Sequence, residues 1–234
     1  MNASPGEHVR ELPLFPLPLV LFPNMMVPLH IFEERYKEMV DTCLDRGGRF
    51  GIVLVTDVEE GTHSVQTARI GCTARIVRVE RLAEGRMNIE IVGEERFRIL
   101  DAHENLAYRT GVVEPFADEP LPTERLKELA SEVHDLLTRF LNLHLRRMGK
   151  RSARFELPTE AGLLSFTASC VLPIDAAGKQ TLLEYSDTAL RLGAARDILE
   201  IEVERLEKES ATRPPDPLWD PIDDATFTRF RCLN

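Results

Sequence analysis

The 234-residue sequence carries 29 basic and 39 acidic residues, a formal net charge of −10 that argues against proteins that bind nucleic acid or anionic membranes. Its hydrophobic fraction of 43% is enough to build a buried core, and no apolar stretch approaches the length of a transmembrane helix. The four cysteines are far apart and form no CxxC pair, so we expect free thiols, no disulfide or zinc site, and a cytoplasmic protein.

The first predicted elements lie in and after a proline-rich apolar segment, residues 11–22. Proline lacks a backbone N–H and fixes φ, so within this segment only residues 19–22 are expected to pair as a strand. Residues 23–28 are expected to form a loop. From 31 to 46 the apolar residues fall on one face and the charged residues on the other, which predicts an amphipathic helix.

Short strands are predicted next. Residues 50–55 form a continuous apolar run, which is typical of a strand buried on both faces. Apolar and polar residues alternate from 68 to 101, with turn residues at 83–86, and this predicts a β-hairpin whose second strand ends at Gly93. Residues 96–100 alternate again and are expected to form another short strand, and residues 108–113 one more. Several short strands with a single helix predict a small β-barrel that carries one helix.

After a proline cluster at residues 115–122, the strand pattern gives way to helical spacing. Four helices are predicted, at residues 123–148, 158–170, 179–184 and 187–208. The predicted fold class is therefore α+β, with a β-barrel subdomain at residues 1–118 followed by a C-terminal helical bundle at residues 119–209.

The last segment, residues 210–234, combines four prolines with one tryptophan and two phenylalanines. The prolines argue against a helix, while the aromatic content is higher than disordered segments usually have. Two interpretations remain open: the segment packs back on the body as an extended strap, or it is a docking peptide for a partner.

The common catalytic motifs are absent from the sequence. The sequence has no phosphate-binding loop, no dinucleotide-binding glycine motif, no serine-hydrolase elbow and no H-E-x-x-H zinc motif. The six histidines share no spacing that would bring two of them onto one metal ion. We therefore predict no catalytic residues, no metal site and no cofactor.

Five arginines in the predicted hairpin region support an alternative function. Alternation along the strands could align their side chains in a groove that binds RNA; they are Arg75, Arg78, Arg81, Arg96 and Arg98. The opposing interpretation is an ordinary solvated sheet face, balanced by the carboxylates of Glu80, Glu90, Glu94 and Glu95.

Four stretches of the sequence resemble the N-terminal domain of Lon proteases, and the likeness extends from residue 11 to residue 208. They are LPLFPLPLVLFPNMMVPLHIFEERYKEMV at 12–40, GRFGIVLV at 48–55, GCTARIVRVERLAEGRMNIEIVGEERFRIL at 71–100 and LPIDAAGKQTLLE at 172–184. The resemblance implies a pseudouridine-synthase-and-archaeosine-transglycosylase-like (PUA-like) β-barrel followed by a helical bundle. It also implies a substrate-recognition role, because the family's ATPase and Ser-Lys protease modules have no counterpart in this sequence.

The leading hypothesis is a non-catalytic module that recognises unfolded or hydrophobic peptide segments, with an adaptor role in proteolysis or protein quality control. Its partners would then include a protease or a chaperone, while the oligomeric state stays open. The alternatives are an RNA-binding protein with a PUA-like fold and a small-molecule enzyme that uses a cleft between the two subdomains.

The candidate peptide-binding residues lie near the loop at 23–28, and a cleft between the subdomains is the alternative location. They are Phe22, Pro23, Met25, Met26 and His30. The flexible thioethers of the two methionines, in a loop bounded by prolines, suit adaptable contacts with apolar peptides. A role for these methionines in filling the core is equally compatible with the sequence.

Overall fold

The computed structural model describes residues 9–58, 65–104, 106–120 and 123–212. These residues form two compact units. The first contains the described residues up to Ala117 together with Ile174–Glu184. The second contains those of Asp118–Pro173 together with the residues that follow Glu184. Residues 213–234, which include most of the predicted tail, lie outside the described part of the chain.

The first unit is rich in strands and the second is helical. The strands are β1 (Arg10–Leu17), β2 (Met26–Ile31), β3 (Arg49–Val58), β4 (Val65–Thr67), β5 (Ile70–Arg81), β6 (Met87–His103) and β7 (Thr110–Pro115). The helices are α1 (Glu34–Asp45), α2 (Thr123–Arg147), α3 (Ala161–Val171), α4 (Ala176–Glu184) and α5 (Thr188–Thr212). No helix in the described ranges is both long enough and apolar enough to cross a membrane.

Strand β6 organises the sheet of the first unit. It pairs antiparallel with β5, β2 and β7 along its 17 residues. Strand β1 pairs antiparallel with β7 and parallel with β3, which pairs in turn with β5. The pairings β1–β7–β6–β5–β3 therefore lead back to β1. The hydrophobic core of this unit includes Met39, Val40 and Cys43 of α1.

The strand predicted at residues 19–22 is wrong, because those residues are not in a strand. The pairing segment is instead β1, which contains Pro13 and Pro16. Residues 10–13 of β1 pair with β7, whereas residues 14–17 pair with β3. Each half therefore forms ladder hydrogen bonds with one neighbour, as an edge strand does, and a residue without an N–H is tolerated there.

The loop predicted at 23–28 is shorter than expected, because β2 already begins at Met26. The predicted helix at 31–46 is present as α1, although Ile31 is the last residue of β2 and Glu34 is the first residue of α1. Pro28 lies in the middle of β2, opposite Glu90 of β6. The expectation that proline interrupts pairing is wrong again here. No described strand other than β6 pairs with β2, so β2 is an edge strand, and an edge strand tolerates a residue without an N–H.

Helix α4 belongs to the strand-rich unit, whereas the sequence-based boundaries place it in the helical bundle. Arg96, a buried side chain of β6, donates a 2.7 Å hydrogen bond to the carbonyl oxygen of Leu183. Gln180 Nε2 donates to the carbonyl oxygen of Ile70 at 3.0 Å. These two bonds attach α4 to the sheet. Each joins a side chain to a distant backbone carbonyl, and sequence periodicity does not predict such a contact.

A buried arginine holds the second unit together. Arg191 on α5 has no exposed side-chain surface, and it forms an ion pair with Asp118 at the start of the unit. Its guanidinium also donates to Ser165 Oγ at 2.7 Å and to the Tyr185 carbonyl oxygen at 2.7 Å. The same group lies 3.9 Å from the ring centroid of Phe166 on α3. One side chain thus joins the first residue of the unit to two helices.

We expect Arg191→Met to lower the unfolding free energy of the second unit by about 3–5 kcal/mol, because it leaves the Asp118 carboxylate without its cation. The measurement is chemical denaturation followed by circular dichroism. The control is Arg139→Ala, whose 57%-exposed side chain pairs with Glu207 and should contribute about 1 kcal/mol or less. Adding Asp118→Asn to Arg191→Met should recover part of the loss, and equal losses for Arg191→Met and Arg139→Ala would contradict this role.

Candidate functional site

The structure divides the five predicted peptide-binding residues into two groups. Phe22 and Pro23 are buried, and Met25 packs half-buried against the core. Met26 is half-buried and His30 is exposed, and both lie on β2. A side chain with no exposed surface cannot contact a ligand without rearrangement. This excludes Phe22 and Pro23, and because the half-buried Met25 packs against the core, the accessible candidates on β2 are Met26 and His30.

The segment between β1 and β2 is a fixed turn. Met25 N donates to the carbonyl oxygen of Phe22 at 3.1 Å, and Asn24 has a φ of 62°. Proline at the second position and a positive φ at the third position are the features of a type II turn. Asparagine tolerates the left-handed conformation better than most residues, so this sequence suits the turn.

Gly93 of β6 receives this turn. A Cβ atom at Gly93 would clash with the carbonyl oxygen of Phe22, so only glycine allows the two backbones to approach this closely. Asn24 N donates to the Gly93 carbonyl oxygen at 2.8 Å, and Gly93 N donates to the Met25 carbonyl oxygen at 2.9 Å. The prediction that Gly93 ends a strand is therefore wrong. Strand β6 continues through it because the missing side chain makes room for the turn.

The outward-facing residues of β2 and its two neighbouring strands form an open surface, which we call the β2 face. It comprises Met26, Pro28 and His30 of β2, Asn88 and Glu90 of β6, and Arg78 and Glu80 of β5. The register places Pro28, Glu90 and Arg78 in one row across the strands, and His30, Asn88 and Glu80 in the next row. An open cavity of about 380 Å³ lies over these two rows.

The second row is connected by hydrogen bonds. Asn88 Nδ2 donates to Glu80 Oε2 at 3.1 Å, which leaves Asn88 Oδ1 to accept from His30 Nδ1 at 2.8 Å. In this network the neutral imidazole carries its proton on Nδ1, so Nε2 is an acceptor. The row holds the ring in one orientation on the exposed side of β2.

An aromatic side chain that the sequence analysis did not select extends the β2 face. Phe32 follows β2 directly and has 60% of its surface exposed. Its ring stacks on that of His30, with 6.0 Å between centroids and 23° between planes. The period-two alternation from Met26 through His30 could have identified the outward row, but only if residues 26–31 had been recognised as a strand.

The five arginines considered for RNA binding do not form a groove of available cations. Arg96 is buried against α4, and together with Arg98 it stacks on Phe116. The other guanidinium groups have acidic partners within 3.4 Å, in the pairs Arg75–Glu94, Arg78–Glu90, Arg81–Asp41 and Arg98–Glu114. The interpretation as a balanced sheet surface therefore fits four of the five, and Arg96 has a structural role instead.

Glu94 connects two strands beside the β2 face. It accepts hydrogen bonds from Arg49 Nε at 2.7 Å and from Arg75 Nε at 2.6 Å. Burial raises the pKa of Glu94, but the two hydrogen bonds and the adjacent positive charges outweigh burial and hold the pKa below its ordinary value. The carboxylate therefore stays ionised at neutral pH and joins β3 to β5.

Comparison with known proteins identifies relatives over most of the chain. The family model described as the ATP-dependent protease La (LON) substrate-binding domain matches residues 11–200. The Lon protease of Escherichia coli K12 is 24% identical over 220 residues, which are 91% of this chain and 27% of that protein. The Lon protease of Paraburkholderia phytofirmans is 32% identical over 223 residues, which are 89% of this chain and 26% of that protein. The chain thus spans about a quarter of the length of these relatives.

Solved structures agree with this match. The Lon N-terminal domain protein from Xanthomonas campestris has a TM-score of 0.55 at 25% identity, over 79% of this chain and 96% of that one. The N-terminal domain of the Mycobacterium avium complex Lon protease has a TM-score of 0.61 at 20% identity, over 82% of this chain and 98% of that one. The resemblance expected from the sequence is confirmed, as is a fold with a strand-rich region and helices.

We expect Gly93→Ala to destabilise the first unit by at least about 2 kcal/mol, because the added methyl group clashes with the Phe22 carbonyl. Thermal and chemical unfolding of the purified protein would measure this. Gly193→Ala is the matched control: a Cβ there meets no atom within 4 Å, so alanine in α5 should be neutral or stabilise by up to about 1 kcal/mol. A Gly93→Ala variant as stable as the wild type would contradict the close approach.

We expect Glu94→Gln to be less stable than the wild type at pH 7, because Arg49 and Arg75 lose a charged partner. A carboxyl with a lowered folded-state pKa stabilises the fold above its unfolded-state pKa of about 4.5, and this contribution is lost as the pH falls through the folded-state pKa. The difference between the two proteins should therefore shrink below about pH 4.5. Denaturation curves from pH 7 to pH 3 would measure it, and a difference independent of pH would contradict the role of Glu94.

Proposed function

Because the chain belongs to the ATP-dependent protease La (LON) substrate-binding domain family, we propose that it is a non-catalytic module that recognises unfolded or apolar segments of other proteins. The observation that carries the proposal is the match of a substrate-binding family model to residues 11–200. The relatives named above are Lon proteases, and the similar solved structures are their N-terminal domains.

The β2 face together with Phe32 is the proposed binding surface. Met26 offers a flexible thioether, and Phe32 offers an aromatic ring that is mostly in water. An exposed ring of this size is costly to keep in water, so covering it with an apolar ligand is favourable. Among the residues predicted from sequence, Met26 and His30 contact ligand directly in this proposal. Phe22, Pro23 and Met25 hold β2 in place beneath them.

The proposal includes a PUA-like barrel for the strand-rich unit, supported by strand pairings that return to β1. It also includes an adaptor role, in which bound segments are delivered to a protease or a chaperone. A cytoplasmic location is part of the same proposal, supported by the free thiol of Cys43.

The chemistry around the β2 face supports binding without catalysis. The residues that line its cavity include no serine, cysteine or threonine to act as a nucleophile beside His30. In the described part of the chain, no group of three or more histidine, cysteine or acidic side chains is arranged to hold a metal ion. Burial raises the pKa of the Cys43 thiol to about 11, which keeps that thiol protonated.

Fluorescence anisotropy with a library of labelled peptides, apolar and unfolded in solution, tests the proposal. We expect saturable binding, and we expect Phe32→Ser to weaken it by about tenfold or more, the effect of removing an aromatic anchor. The matched control is Ile201→Ser on α5, which removes a side chain that is 67% exposed and distant in sequence. No saturable binding, or equal weakening by both variants, would contradict recognition at the β2 face.

A further inference from the structure

Among the residues that the structure describes, strand β2 forms ladder hydrogen bonds along one side only. All six of its residues, Met26–Ile31, pair with β6, and no other described strand pairs with it. Its second side therefore presents backbone N–H and C=O groups that no described strand uses. Unpaired groups of this kind are a template for an additional strand.

The register identifies the outward backbone groups. Gly93 N donates to the Met25 carbonyl oxygen. The odd-numbered residues of β6 from Gly93 back to Met87 therefore direct their backbone N–H and C=O groups toward β2. Hydrogen-bonding direction alternates along an antiparallel pair. Consequently Val27, Leu29 and Ile31 bond to β6, while Met26, Pro28 and His30 point their backbone groups away from it. The position of Pro28 agrees, because a residue without an N–H fits only on the unpaired side of the strand.

We propose that an extended polypeptide segment adds to the sheet as a new strand along the outward side of β2. The inference rests on the proposed function and specifies how the ligand is held. Its backbone would pair with Met26, Pro28 and His30, and its side chains would alternate between the β2 face and the opposite side. Backbone pairing depends little on sequence, which suits a module that meets many unfolded segments.

A second copy of this chain is a poor occupant of the same edge. If two β2 strands paired antiparallel about Pro28, two prolines would face each other and neither could donate a hydrogen bond. Displacing the strands by two residues still leaves each Pro28 without an N–H for its partner. Proline on an edge strand is a known device against self-association. The free edge therefore favours a ligand that supplies its own N–H groups opposite the Pro28 carbonyl.

Charge on the β2 face specifies the ligand further. Pro28 has a small side chain, and Glu90 lies opposite it on β6. The Glu90 side chain is 40% exposed. Arg78 approaches Glu90 at 3.4 Å, but a carboxylate accepts about four hydrogen bonds and has room for a second cation. Glu80 adds another carboxylate in the next row, and the whole chain carries a charge of −10. The preferred ligand is therefore an extended segment with apolar residues and at least one lysine or arginine.

Backbone N-methylation of the ligand tests strand addition. The probe is the tightest-binding peptide from the anisotropy library, prepared as a series with one methylated amide at each successive position. We expect losses of about tenfold or more at every second residue and little effect between them, because only alternate amides face β2. Losses without a period of two would overturn strand addition while leaving peptide binding intact.

A variant of the protein gives a second, independent readout. Pro28→Ala restores an outward N–H at the centre of the edge and should tighten binding of the unmethylated peptide by about two- to tenfold. It should also promote self-association, detectable by sedimentation, because the obstacle to pairing between copies is gone. Unchanged affinity in a folded Pro28→Ala variant, measured at a concentration at which sedimentation shows a monomer, would overturn the inference. If no peptide binds the wild-type protein, the proposed function itself fails, and the two failures are thus distinguishable.

Discussion

The contact between the Phe22 backbone and Gly93 is the constraint on which the arrangement of the strand-rich unit depends. This contact fixes the turn at Pro23 and Asn24, and that turn sets the register of β2 against β6. Because β6 also pairs with β5 and β7, an error at Gly93 would displace β2 from the strand that organises the sheet. The exposed row of the β2 face is therefore positioned by an interior contact that no ligand touches.

The sequence was sufficient where local pattern decides the structure. The apolar run at 50–55, the hairpin around residues 83–86 and the long helix α2 follow from periodicity and turn chemistry alone. It was insufficient where a tertiary contact overrides a local rule. Prolines 13, 16 and 28 lie in strands because each occurs where the strand is paired on one side, and edge position is a property of the assembled sheet. Gly93 permits a close approach whose partner is about seventy residues away in sequence, which no local pattern contains.

The candidate site shows the same division. Composition and the proline-bounded loop led to the segment on which the proposed surface is built, and Met26 and His30 lie on its accessible side. Phe22 and Pro23 point inward because the turn places them against the core, and Phe32 was missed because residues 26–31 were not recognised as a strand. The arginines illustrate the converse, since their spacing suggested a groove but each has a partner in the fold. Sequence spacing predicts which side chains share one face of a strand. Only the structure shows which partners those side chains already bind.

Recognition at the outward side of β2 is tested most directly by amide hydrogen exchange at single-residue resolution, with and without a bound peptide. In the free protein the N–H groups of Met26 and His30 face away from β6 and should exchange fast, whereas those of Val27 and Leu29 are bonded to β6 and should exchange slowly. Peptide binding should slow exchange at Met26 and His30 and leave their two neighbours unchanged. Saturable binding with no slowing at these two amides would contradict recognition at β2.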